Sequence, residues 1–159
     1  MKNISKILFL AFLSTFLLSC LTQKEKEENK SEITKILKAN SFKFIAQQAL
    51  PMRMTAVQLT SEYTLTVSPD SINCFLPYFG VATQAPYGGT NNAIEFITTD
   101  FTYDKKSNTD GSYEITIIPK KTDKATRLYL NISASGYASL NVSSNYRDPI
   151  NFNGVIVKR

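Results

Sequence analysis

Short runs in which apolar and polar residues alternate recur along the chain from Met52 to Val157, and this two-residue period constrains the fold more than any other feature. Successive side chains of a strand point to opposite faces, so each run predicts a half-buried β-strand. Turn residues stand between the runs, as in Ser68-Pro69-Asp70-Ser71, Asp110-Gly111 and Ser135-Gly136. The runs are Tyr63–Val67, Ile72–Leu76, Ile94–Phe96, Tyr113–Ile117, Leu128–Ile132, Ala138–Val142 and Ile150–Val157.

These runs predict a mainly β fold of seven or eight short antiparallel strands, with no helical pattern between them. One face of the sheet is apolar and the other is polar. The alternation does not fix how the sheet closes, so a β-sandwich and an open barrel both fit. The length allows one domain.

A helical period precedes the strands and predicts one N-terminal α-helix. Asn29 or Ser31 can cap it, and Glu32 completes a capping box with Asn29. Pro51 is expected to end it, because the residue before a proline is pushed out of the α region. We expect the helix to lie across an open face or end of the sheet. Its apolar side is Ile33, Ile36, Leu37, Phe44, Ile45 and Ala49, and residues 41–44 interrupt the helical period because they alternate.

The first nineteen residues are typical of an export signal. Lys2 and Lys6 are followed by an apolar stretch from Ile7 to Leu18, which is too short for a bilayer-spanning helix of roughly 20 residues. Ser19 directly before Cys20 resembles a bacterial lipobox, in which the cysteine is acylated and becomes the first residue of the mature protein. Cys20 is therefore the predicted lipidation site, carrying palmitate-type acyl chains that hold the protein on the membrane.

A charged segment with almost no apolar residue follows the predicted lipidation site. Residues 20–30 thus predict a solvated tether, residues 1–19 a signal peptide, and residues 31–159 a single β-rich domain. The Lys/Glu-rich tether resembles the surface-export signals of Bacteroidetes lipoproteins, and it equally suits a plain spacer. We expect an exported protein anchored to the outer membrane, on either its periplasmic or its cell-surface side.

The composition argues against several classes of function. The chain contains no histidine, which excludes Ser-His-Asp and Cys-His catalysis and the usual zinc sites. Its net charge of +5 includes Lys2 and Lys6, and no basic run is interleaved with aromatics, so nucleic-acid binding is not expected. The carboxylates fall in turns or at the polar positions of strands, without a recognisable acid–base pair. We expect a non-enzyme without a cofactor or a metal.

Several segments together resemble a known family. Leu76-Pro77-Tyr78-Phe79-Gly80 is the most distinctive of them, and the resemblance covers residues 42–159. The chain looks like the Bacteroidetes lipoproteins grouped as domain-of-unknown-function family 4251, although Val81 stands where that family would carry Arg. The resemblance implies lipidation, an envelope location and one domain, and it implies no activity. The other matching segments are Phe42–Ala46, Leu50–Met52, Leu59–Tyr63, Gly136–Leu140 and Asn153-Gly154, with Arg147 before the last.

Two neighbouring stretches contain the candidate ligand contacts. Tyr78 and Phe79 are adjacent aromatics, which either close the sheet's end or form a small platform for a sugar ring or peptide. The segment from Val81 to Asn92 has no strand pattern, and long loops in compact domains tend to be functional or mobile. It contains Tyr87, Asn91 and Asn92, which can contact a ligand or simply cover a sheet edge.

Two other residues call for an interpretation. Asp70-Ser71-Ile72 fits the pattern that Bacteroidetes use for O-glycosylation of exported proteins, so Ser71 is a candidate modification site as well as an ordinary turn residue. Cys74 would be the only thiol left after lipidation of Cys20. Its apolar, extended surroundings predict burial.

The sequence thus favours a lipid-anchored envelope protein that binds something without catalysis. The first hypothesis is an interaction module that contacts an envelope protein or a glycan. The alternative is a carrier that holds a small apolar ligand inside a calycin-like barrel. The oligomeric state stays open.

Overall fold

The computed structural model describes residues 29–81 and 93–159, and nine β-strands in these ranges form one antiparallel sheet. The mainly β prediction is confirmed. A helix at residues 29–38, α1, precedes the strands. The strands are β1 (Phe42–Pro51), β2 (Val57–Val67), β3 (Ile72–Leu76), β4 (Ile94–Thr98), β5 (Phe101–Ser107), β6 (Tyr113–Pro119), β7 (Arg127–Ile132), β8 (Tyr137–Ser143) and β9 (Ile150–Lys158).

The order of the strands shows how the sheet closes on itself. It runs β4-β3-β2-β1-β9-β8-β7-β6-β5, so the two outermost strands are consecutive in the chain. Eight antiparallel steps make β4 and β5 run in the same direction, and only Thr99 and Asp100 lie between them. They are therefore close to one bent strand, whose first part pairs with β3 and whose second part pairs with β6. The sheet must curl into a nearly closed barrel, which decides the question between barrel and sandwich.

The barrel interior is filled by the apolar residues of the alternating strands. Burial alternates along most strands, most regularly on β3, β4 and β6. Phe42, Phe44 and Phe152 are completely buried and belong to one hydrophobic cluster. Cys74 is also completely buried, as predicted, and burial raises the pKa of its thiol.

Helix α1 packs on the sheet through Ile33, Ile36 and Leu37, which are buried. A Cβ at Gly136, in the turn between β7 and β8, would lie 2.8 Å from Cδ1 of Ile33, so the helix lies directly on that turn. The position of the helix at an end of the sheet is as expected.

The extent of the helix was predicted wrongly. We expected it to continue to Pro51, but residue 40 adopts a left-handed φ of 49° and the chain then enters β1. The spacing of the apolar side chains in residues 42–51 fits a helix as well as a strand. The strand forms because β2 and β9 pair with this segment on either side. The Lys105 ammonium of β5 donates hydrogen bonds to the Leu37 carbonyl oxygen at 2.7 Å and to Asn40 Oδ1 at 2.6 Å. The bond to Leu37 gives a donor to one of the carbonyl oxygens at the end of the helix.

Strand β1 contains a β-bulge that matters below. Its pairing with both β2 and β9 shifts between Ala46 and Gln48, which leaves Gln47 without a partner in either ladder. A Cβ on Gly154 of β9 would overlap the carbonyl oxygen of Ile45. Glycine is therefore required at this position, because the two backbones approach each other closely.

The turns lie where the sequence predicts them. Ser68–Ser71 is a turn closed by a hydrogen bond from the Ser68 amide to the Ser71 carbonyl oxygen at 2.9 Å. Gly111 and Gly136 have positive φ in the two predicted turns. Strand β5 was not predicted. Within residues 29–81 and 93–159, no helix is both long and apolar enough to cross a membrane.

Candidate functional site

The segment after β3 is held in place by the side chain of Tyr78. Its hydroxyl donates toward the carbonyl oxygen of Val81 at 3.0 Å and that of Asp148 at 3.2 Å. The Asp148 amide donates to the same Val81 oxygen at 3.2 Å. One phenol thus joins the end of β3 to the connection between β8 and β9.

Gly80 allows this arrangement. A Cβ at position 80 would lie 2.6 Å from the Tyr78 hydroxyl oxygen, so the ring folds back over a residue that must have no side chain. Pro77 before it is buried. The Pro-Tyr-Phe-Gly sequence therefore encodes a corner whose tyrosine bonds to the backbone.

Two arginines surround the same corner. The guanidinium of Arg147 lies 5.0 Å from the centre of the Tyr78 ring, within cation–π range, and its Nη1 atom donates to the Ala93 carbonyl oxygen at 3.5 Å. Arg53 Nε lies 3.0 Å from Asp148 Oδ2. That buried oxygen accepts no aligned hydrogen bond from the described residues, so the contact is an ion pair without directional N–H···O geometry.

Electrostatics at the corner follow from this geometry. Burial raises the pKa of Tyr78, the negative charge of Asp148 raises it further, and the positive charge of Arg147 opposes both effects. The phenol therefore stays protonated and acts as a donor. Chemically, the arrangement is a structural clamp made of neutral and paired groups.

Two of the five predicted ligand contacts lie among the described residues, and three do not. Tyr78 and Phe79 are partly buried and pack against the hydrophobic core, so their observed contacts are with the protein itself. Tyr87, Asn91 and Asn92 lie outside the described residues, as does Cys20. The two described ends of their segment, Val81 and Ala93, both accept hydrogen bonds at the Tyr78 corner. A ligand role for Tyr78, Phe79, Tyr87, Asn91 and Asn92 stays a prediction.

Ser71 lies in the turn between β2 and β3, as expected. Its Oγ donates to Asp70 Oδ1 at 3.0 Å, and its side chain is partly exposed beside the exposed Pro69 and Asp70. The position is sterically open to a modification, which stays a prediction.

Several carboxylates of the described residues are used in surface ion pairs and turns. Glu62 pairs with Lys43 at 3.3 Å, and Asp100 pairs with Lys120 at 3.6 Å and with Lys121 at 3.5 Å. Hydrogen bonds from Ser112 lower the pKa of Asp110 in its turn. No group of three or more potential metal ligands occurs within residues 29–81 and 93–159.

A groove on the outer surface of the sheet was not predicted from the sequence. It has a volume of about 360 Å³ and lies across the polar faces of β7, β8, β9 and β1. The signal that indicates it is the lack of charge in two strands, because β8 contains no charged residue and β9 contains none before Lys158. The groove is lined by Gln47, Asn131, Ser133, Tyr137, Ala138, Ser139, Asn153 and Gly154.

A solved structure shares this fold. A DUF4251 family protein from Bacteroides eggerthii DSM 20697, determined by crystallography at 1.95 Å, superposes with a TM-score of 0.58 at 14% sequence identity. The similarity covers 82% of this chain and 87% of that one. No curated protein matches the chain. The profile of the family described as domain of unknown function (DUF4251) matches residues 24–156, and the chain therefore belongs to that family.

Proposed function

We propose that this chain is a lipid-anchored, non-catalytic interaction module of the cell envelope, which recognises its partner with its outer surface. The observation that carries this proposal is the filled interior of the barrel. A barrel of about eight strands has an interior just wide enough for its own side chains or for one small ligand. Here the interior positions carry large apolar side chains.

The side chains that occupy the interior come from several strands. Phe42 and Phe44 of β1 and Phe152 of β9 are completely buried, and aliphatic residues such as Leu65 and Leu130 are too. A protein interior packs at the density of an organic crystal, so these groups occupy the space that an apolar ligand would need. The filled core therefore favours the interaction module over the calycin-like carrier.

The anchor is the second part of the proposal. Residues 1–19 have the pattern of an export signal, and Cys20 stands where a lipoprotein is acylated. Several acyl chains would keep the domain at the outer membrane, on its periplasmic or its outer side, where an envelope protein or a glycan is within reach.

The anchor can be tested by metabolic labelling with an alkyne-tagged palmitate in the native host. We expect the wild-type protein to be labelled and to sediment with membranes, and the Cys20→Ser variant to lose the label. Wild-type protein without label would contradict the anchor. Because position 20 precedes the described domain, which starts at residue 29, unfolding is not the expected cause of a lost label.

The interaction can be tested by mild crosslinking of the full-length protein in its native membrane, followed by mass spectrometry. A reproducible protein or glycan companion is the expected result. A small apolar molecule co-extracted at one equivalent, without any companion, would replace this proposal by the carrier. The same analysis reports whether Ser71 carries a glycan.

A further inference from the structure

The groove across β7, β8, β9 and β1 carries polar side chains on the outer face of the sheet. Asn131 of β7, Ser139 of β8, Asn153 of β9 and Gln48 of β1 are successive partners across four strands. They form one row of uncharged polar side chains. Asn153 Nδ2 donates to Gln48 Oε1 at 3.2 Å, which orients the amides of the last two strands.

The bulge and the β7–β8 turn shape the two sides of the groove. The bulge places exposed Gln47 at one side, and bulges commonly redirect a side chain in this way. At the other side Tyr137 is 67% exposed at the start of β8. Ser133 Oγ donates to the Tyr137 carbonyl oxygen at 3.0 Å and so holds the end of the turn. The backbone of Ala138 and Gly154, paired in the ladder, lies between the two sides.

The absence of charged residues from the groove is the property that most restricts which ligand can bind there. None of its lining residues is charged, although the chain has 18 Lys and Arg and 13 Asp and Glu. An amide side chain offers both donors and an acceptor, and a serine hydroxyl offers both as well. Such a lining matches a ligand whose own groups both donate and accept and which carries no charge.

We propose that this groove binds a neutral saccharide, an inference that rests on the proposed interaction-module function and names its partner. Sugar hydroxyls pair with the amides of Gln47, Asn131 and Asn153. The apolar C–H face of a sugar ring packs on the exposed ring of Tyr137, since a tyrosine presents an apolar body with a polar tip.

The position of the strands argues against a peptide partner. Strands β7, β8, β9 and β1 each have a neighbour on both sides. Apart from the bulge at Gln47, their backbone donors and acceptors are used in the sheet, so an extended peptide cannot add itself as a further strand here. An anionic ligand would find no cation in the lining.

The experiment measures binding of the full-length protein to immobilised neutral glucans, mannans and xylans, with polygalacturonate and dextran sulfate as charged comparators. We expect saturable binding to at least one neutral polymer and none to the charged ones. Tyr137→Ala and Asn153→Ala should each weaken it by about tenfold or more. The matched controls are Ile97→Ala, an apolar residue 73% exposed on β4, and Asn73→Ala, an exposed amide on β3. Both should bind as the wild type does.

Four outcomes would overturn the saccharide proposal: no binding to any neutral polymer, a preference for the charged polymers, binding that Tyr137→Ala and Asn153→Ala leave unchanged, or loss in the control variants as well. The crosslinking experiment separates this failure from failure of the proposed function. A protein companion together with a negative polymer panel overturns the saccharide and leaves the interaction module standing. A negative polymer panel together with the absence of any companion overturns both.

Discussion

Single residues decide how the corner after β3 and the bulge of β1 are formed. Tyr78 joins two connections through one hydroxyl, and Gly80 leaves room for its ring. Gly154 admits the Ile45 carbonyl oxygen at the bulge. Glycine and tyrosine at these positions are visible in the sequence, but what they touch is not, because their partners lie elsewhere in the chain.

At this scale, Tyr78→Phe should lower the free energy of unfolding by about 1–2 kcal/mol, because the hydroxyl bonds to the Val81 and Asp148 carbonyl oxygens are lost while the ring keeps its packing. Urea unfolding followed by circular dichroism measures the change. Tyr137→Phe is the control, since its side chain is mostly exposed and should shift stability by less than about 0.5 kcal/mol. Equal midpoints for Tyr78→Phe and the wild type would show that the hydroxyl is not a clamp.

Tyr103 on β5 gives a prediction about pH. Its hydroxyl is buried and has no hydrogen-bond partner among the described residues, and burial raises its pKa from 10.0 to about 12. The folded state therefore holds this proton at a pH at which the unfolded state has released it, so stability falls as the pH rises from 10 to 12. Tyr103→Phe should make this fall shallower, with the remaining slope coming from other groups such as Tyr78, whose pKa is also raised.

At pH 7 the same Tyr103→Phe variant should be as stable as the wild type or more stable by about 1 kcal/mol, because it removes an unsatisfied polar group. Unfolding in urea at pH 7 and at several values between 10 and 12 tests both statements. A variant that is less stable at pH 7 and keeps the full alkaline slope would contradict them.

Whole elements were predictable where the alternation is strict and bounded by turns. Six of the runs read from the sequence, such as Tyr113–Ile117, lie inside the strands β3, β4, β6, β7, β8 and β9, and Tyr63–Val67 is the end of β2. Strand β1 was assigned to the helix because Phe44, Ile45 and Ala49 fit both periods, and only its two neighbours decide between them. Strand β5 was not predicted because its three consecutive charged residues, Asp104, Lys105 and Lys106, are typical of a loop.

The helix is an element whose contribution can be measured. Leu37 is completely buried, so Leu37→Ala should lower the free energy of unfolding by about 2–5 kcal/mol. Lys38→Ala, the exposed neighbour in the same helix, is the matched control and should have a small effect. Equal stability of the two variants in urea would show that the helix does not stabilise the barrel.

The whole molecule depends on an order of strands that no local pattern reveals. The groove is an example, because Gln48 and Asn153 meet across 105 positions of the sequence. The uncharged composition of β8 was readable, whereas its alignment with the bulge of β1 required the complete sheet. The closure of the barrel through β4 and β5 is non-local for the same reason.

The filled interior gives a prediction for the entire protein. Wild-type protein should show no saturable uptake of cis-parinaric acid, a fluorescent apolar probe. Phe152→Ala should be less stable by about 3–5 kcal/mol and, where it still folds, should gain a cavity that admits benzene. One-to-one uptake of the probe by the wild type would favour the carrier over the interaction module.

The position of β9 has a consequence for the order in which the protein can form. This last strand lies between β1 and β8, so it alone joins the half β4-β3-β2-β1 to the half β8-β7-β6-β5 within the ladder. The two halves cannot pair into one sheet until β9 is available to lie between them. Contacts this distant in sequence form slowly. The completed sheet therefore depends on β9, the strand that follows the other eight in the described part of the chain.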